Sequence, residues 1–265
     1  MQPSNGSMKS AVGSLDSREI YAGPEFKHWV EEEELIAPEQ FLLERYLRSD
    51  QSTLEAGTGG GRILRALARR GFKELSGFDN VPELIYQARL KECSQPMAFS
   101  VQDARKLTYS DSSFDQLIYL QQVLCFITDA EGRRDAVAEA YRILKPDGLA
   151  VFSFLCYESR LESAFYRALI GYLRCLRTLS RQRRSAQYMP WLWIGNRVNI
   201  SAILDRPPHV YWYRVQDAVN LLLHQHFKII GIGTRTETDQ RKLCKLGEEF
   251  KRSPKTGMLY IVCQK

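Results

Sequence analysis

The stretch that decides the fold is Leu54-Glu55-Ala56-Gly57-Thr58-Gly59-Gly60-Gly61-Arg62. The pattern predicts a short strand over 52–56, a glycine-rich turn and a helix that begins at Arg62. Backbone N–H groups and a helix N-terminus can approach a ligand closely at such a junction, which is typical of a nucleotide-type site. The spacing disfavours a dinucleotide or triphosphate loop. Arg62 stands where the G-x-G-x-x-G pattern needs its last glycine, and no Lys-Ser or Lys-Thr pair follows the glycines.

Outside this stretch, predicted strands and helices alternate along the chain. Strands are predicted at 74–78, 98–101, 114–120, 149–155, 210–213, 228–232 and 258–263, and helices at 25–36, 38–48, 62–70, 82–91, 131–144, 160–184 and 217–224, with a turn at 145–148. This alternation predicts an α/β fold: a Rossmann-like, mostly parallel seven-stranded sheet with helices on both faces and a helical cap insertion after strand five. We expect a flexible N-terminal tail at 1–18, a cofactor-binding core with N-terminal helices at 19–155, a substrate cap at 156–208, and closing strands and a helix of the core at 209–265.

Composition narrows the class of protein. The chain has 265 residues, of which 44% are hydrophobic, and its net charge of +6 does not by itself indicate a nucleic-acid partner. The six cysteines form no C-x-x-C pair and the four histidines form no cluster, so we expect neither a metal site nor a disulfide framework. No apolar run approaches the roughly 20 residues of a membrane span, and no secretory signal is evident. We therefore expect a cytoplasmic protein.

Two acidic side chains accompany the glycine loop. Glu55 stands two residues before Gly57, where a carboxylate would repel a pyrophosphate but suits a ligand with a cationic amino-acid end. Asp79 ends the second strand, 18 residues after Gly61, where this architecture places a ribose-binding carboxylate.

These motifs resemble those of the class I S-adenosylmethionine-dependent methyltransferases of the small-molecule type. The matching positions are Glu55-x-Gly57-x-Gly59-x-Gly61, Asp79, the segment 101–104, the fourth-strand segment 114–127 and the turn 143–148. The resemblance implies S-adenosyl-L-methionine as the cofactor, with Asp103 and the Ala104 amide on adenine, Gln121 beneath the sulfonium and Tyr21 closing over the ligand. The implied cofactor-binding residues are Glu55, Gly57, Thr58, Gly59, Gly61, Asp79, Asn80, Asp103, Ala104, Gln121 and Tyr21.

The catalytic residues cannot be carried over from the resemblance. Many relatives place histidines after the fourth strand, where this chain has Val123-Leu124-Cys125-Phe126. His209 and Tyr21 are the candidates for a general base, but alignment and desolvation can suffice for transfer from a sulfonium. The chain also lacks an Asn/Asp-Pro-Pro-Tyr motif after strand four and any Pro-Cys dipeptide, which argues against methylation of nucleic-acid amino groups or of cytosine C5.

The segment 156–206 matches no motif of the family. It holds nine arginines and three acids, so it accounts for the net charge of the whole chain. Arg160, Arg167, Arg174 and Arg181 recur every seven residues opposite a Leu/Phe face, which indicates either a solvated helix face or a lid over an anion or a membrane. The aromatic residues that follow can be packing or pocket lining. The candidate substrate residues are Arg174, Arg177, Trp191, Trp193, Tyr211 and Tyr213.

Together these features predict a methyltransferase, with no metal, that acts on a small amphipathic or anionic metabolite by direct SN2 displacement. Oxygen, nitrogen and carbon acceptors all remain open. A nucleic-acid partner is not favoured, whereas peripheral contact with an anionic membrane is a candidate. One alternative is a non-catalytic S-adenosylmethionine-binding protein that uses its basic helix for a partner or membrane. The other is an RNA methyltransferase, for which phosphate contacts would give a steep salt dependence.

Overall fold

The computed structural model describes residues 17–23, 25–91, 95–194 and 197–265. Most of the tail expected at 1–18 lies outside these ranges, and Ser17 already begins the first helix. The strands are β1 (Thr53–Ala56), β2 (Leu75–Asp79), β3 (Ala98–Val101), β4 (Phe114–Tyr119), β5 (Leu144–Leu155), β6 (Tyr188–Pro190), β7 (Trp193–Ile194), β8 (Arg197–Val198), β9 (His209–Tyr211), β10 (Lys228–Gly233) and β11 (Met258–Gln264).

Seven of these strands form one twisted sheet in the order β3-β2-β1-β4-β5-β11-β10. The first five run parallel to their neighbours, and β11 is antiparallel to both β5 and β10. The predicted Rossmann-like, mostly parallel seven-stranded sheet is therefore confirmed. Because parallel strands end at the same edge, the carboxyl ends of β1, β2 and β4 lie side by side.

Helices cover both faces of this sheet. They are α1 (Ser17–Ala22), α2 (Phe26–Glu31), α3 (Ala37–Tyr46), α4 (Arg62–Arg69), α5 (Pro82–Leu90), α6 (Ala130–Ile143), α7 (Tyr157–Leu161), α8 (Ala164–Leu179), α9 (Val215–His224), α10 (Arg235–Asp239) and α11 (Glu248–Arg252). Alternate strand residues face opposite cores: Ile118 packs with α3 and α4, whereas the adjacent Tyr119 packs with α6 and α9.

The long helix predicted at 160–184 is two helices, α7 and α8. Ser163 is extended (φ −88°, ψ 127°) and ends the first, and the Arg167 guanidinium donates to the Leu161 carbonyl at 2.7 Å. The second ends at Leu179 because Arg181 adopts a left-handed φ of 54° and the Gln182 N–H returns to the Arg177 carbonyl at 2.8 Å.

Three other sequence expectations need correction. The helix predicted at 25–36 ends at Glu31. The turn predicted at 145–148 is an irregularity inside β5, because Leu144 pairs with Phe114 while Leu149 pairs with Gln116. Strand β9, which lies in the segment 209–265 expected to belong to the core, pairs instead with β6 in a separate two-stranded sheet. That small sheet, the β7–β8 pair and a 3₁₀ helix at Ile200–Leu204 follow α8.

Candidate active site

The glycine loop after β1 forms a cradle that only glycine can build. Gly57, Gly59 and Gly61 have φ values of 63°, 53° and 79°, in the left-handed region that L side chains rarely adopt. A Cβ atom on Gly57 would also lie 2.7 Å from Cγ2 of Val123, and one on Gly60 would lie 2.9 Å from the Trp29 carbonyl oxygen. The loop is therefore held closely between the end of β4 and helix α2.

Asp79 braces this loop from the end of β2. Its carboxylate accepts hydrogen bonds from the Gly59 N–H at 2.9 Å and from the Val81 N–H at 3.0 Å. Burial raises the pKa of Asp79, and these two hydrogen bonds oppose the rise. The fixed carboxylate has further lone pairs that can accept hydrogen bonds from hydroxyl groups of a ligand.

A pocket with about 750 Å³ of empty space lies beside these groups. Of the residues that the sequence predicted for the cofactor, it is lined by Tyr21, Gly57, Gly59, Asp79, Asn80, Asp103, Ala104 and Gln121. Its apolar lining includes Phe78, Leu84, Val123 and Ile127, which the sequence did not single out for this site. Apolar walls with a few convergent polar groups are typical of a small-ligand site.

Glu55, Thr58 and Gly61 are not among the described residues that line this pocket. Glu55 is buried, and the Thr58 hydroxyl donates to its Oε2 atom at 2.6 Å. Burial raises the pKa of Glu55 to about 8. The Glu55 carboxyl therefore stabilises the loop through its hydrogen bond with Thr58 and does not line the pocket.

Asp103 faces the pocket with a partner that the sequence reasoning missed. The Arg105 guanidinium lies on both carboxylate oxygens, with Nη2 2.6 Å from Oδ2 and Nε 3.0 Å from Oδ1. Hydrogen bonds from Arg105 lower the pKa of Asp103 and keep it ionised. Lone pairs remain on the carboxylate, so Asp103 can still accept a hydrogen bond from a ligand amine.

Gln121 lines the pocket, but its amide nitrogen donates to Glu39, a buried acid on α3. Glu39 also accepts two hydrogen bonds from Arg62, at 2.6 and 2.8 Å. Both contacts join residues far apart in the sequence, so no local pattern could have revealed them. The amide nitrogen of Gln121 is therefore already hydrogen-bonded within the protein.

An aromatic wall forms part of the pocket lining, and it includes Tyr21, Trp29 and Phe126. The Tyr21 ring makes edge contacts with Trp29, Phe126 and Trp191, at centroid distances of 5.9, 5.3 and 5.9 Å. Burial, with smaller contributions from the charges of Glu25 and Asp79, raises the pKa of Tyr21 well above its ordinary value. As a buried neutral phenol, Tyr21 is suited to packing and hydrogen bonding and is a poor general base at neutral pH.

A second pocket, with about 770 Å³ of empty space, lies behind this wall. Tyr21, Trp29 and Phe126 line both pockets. The remaining lining of the second pocket is Glu25, Gln122, Leu155, Arg160, Tyr166, Met189, Pro190, Trp191, Leu192, Trp193, Val210 and Trp212. Two of the predicted substrate residues, Trp191 and Trp193, are therefore placed at this pocket.

Tyr211 and Tyr213 lie outside the lining of both pockets. The Arg133 guanidinium stacks 3.8 Å from the Tyr211 ring centroid, and the Tyr213 hydroxyl donates to the Leu124 carbonyl at 3.3 Å. Of the two interpretations that the sequence left open for these aromatics, packing fits their geometry.

The predicted substrate residue Arg177 pairs with a carboxylate of the protein. Its buried guanidinium binds both carboxylate oxygens of Asp205, at 2.7 and 2.6 Å. His209 Nε2 lies 3.1 Å from the same carboxylate, and burial lowers the pKa of His209. Both side chains stabilise the fold of the segment that follows α7, and Arg177 lines neither pocket. Arg174 is exposed and also lies outside both linings.

Three further findings hold for the part of the chain that the structure describes. No group of three His, Cys, Asp or Glu side chains there is arranged to hold a metal ion. None of the described helices has the length and apolar character to cross a membrane. The cysteines Cys125, Cys156, Cys175 and Cys263 are free thiols.

Comparison with known proteins places this geometry in context. Residues 54–152 match the family model described as a methyltransferase domain. Among curated proteins, the chain is similar to YqeM of Bacillus subtilis (31% identical over 111 residues, 42% of this chain and 44% of the relative). It is also similar to the malonyl-[acyl-carrier protein] O-methyltransferase of Salmonella typhimurium (30% over 115 residues, 43% of each chain). The chain thus spans less than half the length of these two relatives.

Among solved structures, the fold is similar to that of a SAM-dependent methyltransferase from Methanosarcina mazei. The TM-score is 0.62 at 21% identity, over 84% of this chain and 96% of the other. The glycine loop and the acids at the strand ends lie within or beside the matched domain. The aromatic second pocket draws much of its lining from residues 155–212, beyond the family match.

Proposed function

Because residues 54–152 form a methyltransferase domain, we propose that this protein transfers the methyl group of S-adenosyl-L-methionine to a small amphipathic or anionic acceptor. The observation that carries the proposal is the shared wall: Tyr21, Trp29 and Phe126 line both the pocket of the glycine loop and the aromatic pocket. Two ligands in these pockets would meet at this wall, as a direct transfer requires.

The residues of the first pocket fit this cofactor. The Asp79 carboxylate is fixed where it can accept hydrogen bonds from ribose hydroxyls, and Asp103 with Ala104 can recognise adenine between apolar side chains. The loop at Gly57 and Gly59 leaves room for the methionine part without a Cβ in the way. When bound, S-adenosylmethionine supplies an electrophilic methyl group on a sulfonium cation.

The protein's own contribution to the reaction is alignment and exclusion of water. Tyr21, Trp29 and Phe126 provide an apolar boundary that desolvates the acceptor nucleophile beside the cofactor pocket. These side chains would hold the acceptor nucleophile beside the methyl group that the bound cofactor would supply for direct displacement. An acceptor that arrives deprotonated needs no general base in such a step.

The name of one curated relative supports an anionic acceptor. The Salmonella relative is named for O-methylation of a malonyl group on a carrier protein, and a malonyl group carries a carboxylate. We further propose that residues 156–208 act as a substrate cap on the core, because most of the residues that line only the second pocket come from this segment.

The cap also suggests peripheral contact with an anionic membrane. Its exposed apolar side chains are Leu161, Phe165, Tyr172, Leu179, Trp193, Val198, Ile200, Ile203 and Leu204. The Tyr172 hydroxyl donates to the Ile203 carbonyl at 2.8 Å, which brings α8 beside the 3₁₀ helix. Apolar side chains among arginines are typical of surfaces that bind anionic lipid.

Vesicle binding tests this contact. Leu179→Ser with Ile200→Ser should reduce co-sedimentation with vesicles of phosphatidylglycerol and phosphatidylcholine. Tyr86→Ser, at an exposed apolar residue of α5 far along the chain from the cap, is the matched control and should have no effect. Equal binding by both variants would contradict a membrane role for the cap.

Thermal unfolding with ligands tests the cofactor assignment. Saturating S-adenosylmethionine or S-adenosylhomocysteine should raise the melting temperature by mass action, whereas NAD and ATP should not. Equal stabilisation by NAD, or none by the adenosyl ligands, would contradict the assignment.

Methyl transfer from labelled cofactor in a cell extract then separates the candidate functions. Label in the organic fraction supports the proposal. Label in RNA, with a steep loss of activity in salt, would favour an RNA methyltransferase. Cofactor binding without transfer would favour a non-catalytic protein. We place the reaction in the cytoplasm, since free thiols suit a reducing compartment.

A further inference from the structure

Arg160 is an unusual charge in the aromatic pocket. Its guanidinium carbon lies 3.9 Å from the centroid of the Tyr166 ring and 4.0 Å from the centroid of the Trp212 ring. The two rings therefore hold the planar guanidinium between them and fix its position on α7 at the pocket surface. Such a placement removes most of the conformational freedom that an arginine side chain has in solution.

No carboxylate of the described residues balances the charge of Arg160. Within the described ranges, no carboxylate forms an ion pair with Arg160, and its buried Nε has no hydrogen-bond partner. Burial lowers the pKa of Arg160, which reflects the cost of removing the cation from water. A partly desolvated guanidinium without an ion pair among the described residues gains from an anionic ligand.

The position of Arg160 separates it from the cofactor. Arg160 lines the aromatic pocket and is not among the residues that line the pocket of the glycine loop. A sulfonium is itself a cation, so a guanidinium offers it no favourable interaction. The aromatic wall that faces the cofactor pocket is formed by Tyr21, Trp29 and Phe126, whereas Arg160 lies among Tyr166 and Trp212.

We propose that Arg160 determines acceptor specificity by binding an anionic oxygen group on a flat, apolar acceptor, whose nucleophile then points to the wall of Tyr21, Trp29 and Phe126. The inference rests on the proposed function because it identifies the ligand as a methyl acceptor. The binding of an anion at Arg160 does not itself depend on methyl transfer. The acceptor class is an aromatic or conjugated molecule with a carboxylate, sulfonate or phosphate at one end.

A pair of fluorescent dyes tests the charge preference directly. 8-Anilinonaphthalene-1-sulfonate and N-phenyl-1-naphthylamine share one aromatic body and differ in the sulfonate. The wild-type protein should bind the sulfonate dye more tightly than the neutral dye. Arg160→Met should reduce this preference about tenfold or more, the loss expected for one charge-assisted bidentate contact. Arg160→Lys keeps the charge but loses the bidentate geometry, so it should retain only part of the preference.

Two controls locate the effect. Arg183→Met removes the same charge from an exposed position outside the aromatic pocket and should leave the preference unchanged. Trp193→Ala removes a ring from the pocket lining and should weaken the binding of both dyes together. The proposal is wrong if Arg160→Met retains the wild-type preference, or if it weakens the two dyes equally, because the side chain would then act by packing alone.

A separate titration with S-adenosylhomocysteine keeps this test independent of the proposed function. Arg160→Met should bind that ligand with wild-type affinity, since Arg160 does not line its pocket. Absence of binding in the wild type would contradict the proposed function, while the dye comparison would still report on Arg160.

Discussion

Arg62 and Glu39 form a buried bidentate ion pair, with Nη1 2.6 Å from Oε2 and Nη2 2.8 Å from Oε1. The pair joins the first residue of α4 to helix α3, and Nη1 of Arg62 also donates to the Glu34 carbonyl at 2.6 Å. The arginine that breaks the dinucleotide pattern is therefore the residue that anchors the N-terminal helices to the glycine loop. Gln121 extends this network to the end of β4 through Glu39.

Breaking this pair should destabilise the fold strongly. Arg62→Met leaves the Glu39 carboxylate buried without its countercharge, which costs about 3–5 kcal/mol. Arg62→Met with Glu39→Gln should recover much of that loss, because no buried charge then remains. Urea unfolding measures the free energy of unfolding of both variants. The control is Lys27→Met, which removes the exposed Lys27–Glu31 ion pair. A loss below about 1 kcal/mol for Arg62→Met would contradict this role of the buried pair.

Asp79→Ala should weaken binding of S-adenosylhomocysteine. We expect at least about a tenfold loss, because the carboxylate would accept charge-assisted hydrogen bonds from ribose hydroxyls and also braces the Gly59 N–H at 2.9 Å. Asp103→Ala should have a smaller effect, since adenine would also gain from apolar contacts in the pocket. Titration calorimetry measures the affinity of both variants for S-adenosylhomocysteine. Unchanged affinity in Asp79→Ala would overturn the ribose assignment.

Glu55 should make stability depend on pH. Burial raises its pKa from 4.5 to about 8, so the folded chain keeps a proton that the unfolded chain loses as pH rises above about 4.5. Its contribution to the free energy of unfolding therefore falls as pH rises through this window and levels off above about pH 8. Glu55→Gln can still accept the Thr58 hydrogen bond and should remove this contribution.

Unfolding of the wild type and of Glu55→Gln at several pH values in this window measures the difference. Glu83→Gln, at an exposed residue of α5, is the control and should follow the wild type. If the wild type and Glu55→Gln kept the same pH slope, Glu55 would have to be ionised in the folded protein.

Arg177→Gln should act on stability and not on substrate recognition. It removes a guanidinium that binds both oxygens of Asp205 and also donates to the Ser185 and Tyr188 carbonyls at 2.7 and 2.6 Å. A buried pair broken in this way costs about 3–5 kcal/mol. Arg181→Gln, at an exposed residue, should change stability by less than about 0.5 kcal/mol. A stable Arg177→Gln protein with reduced acceptor turnover would restore the substrate role that the sequence suggested.

The sequence by itself determined the α/β sheet and the position of the glycine loop. These features depend on local and periodic patterns: apolar strands, glycines that adopt positive φ, and acids at strand ends such as Asp79. Parallel strands bring their carboxyl ends to one edge, so residues chosen for their place after a strand converge without further information.

Only the tertiary structure decided which charges serve the fold and which face a ligand. Arg160 and Arg177 look alike in the sequence, yet Arg177 meets Asp205, 28 residues away, while Arg160 meets two aromatic rings at a pocket. Burial and partner choice depend on contacts between distant segments, and no local pattern encodes them. For the same physical reason, the sequence suggested Tyr21 for the cofactor site but could not show that Tyr21 lines two pockets.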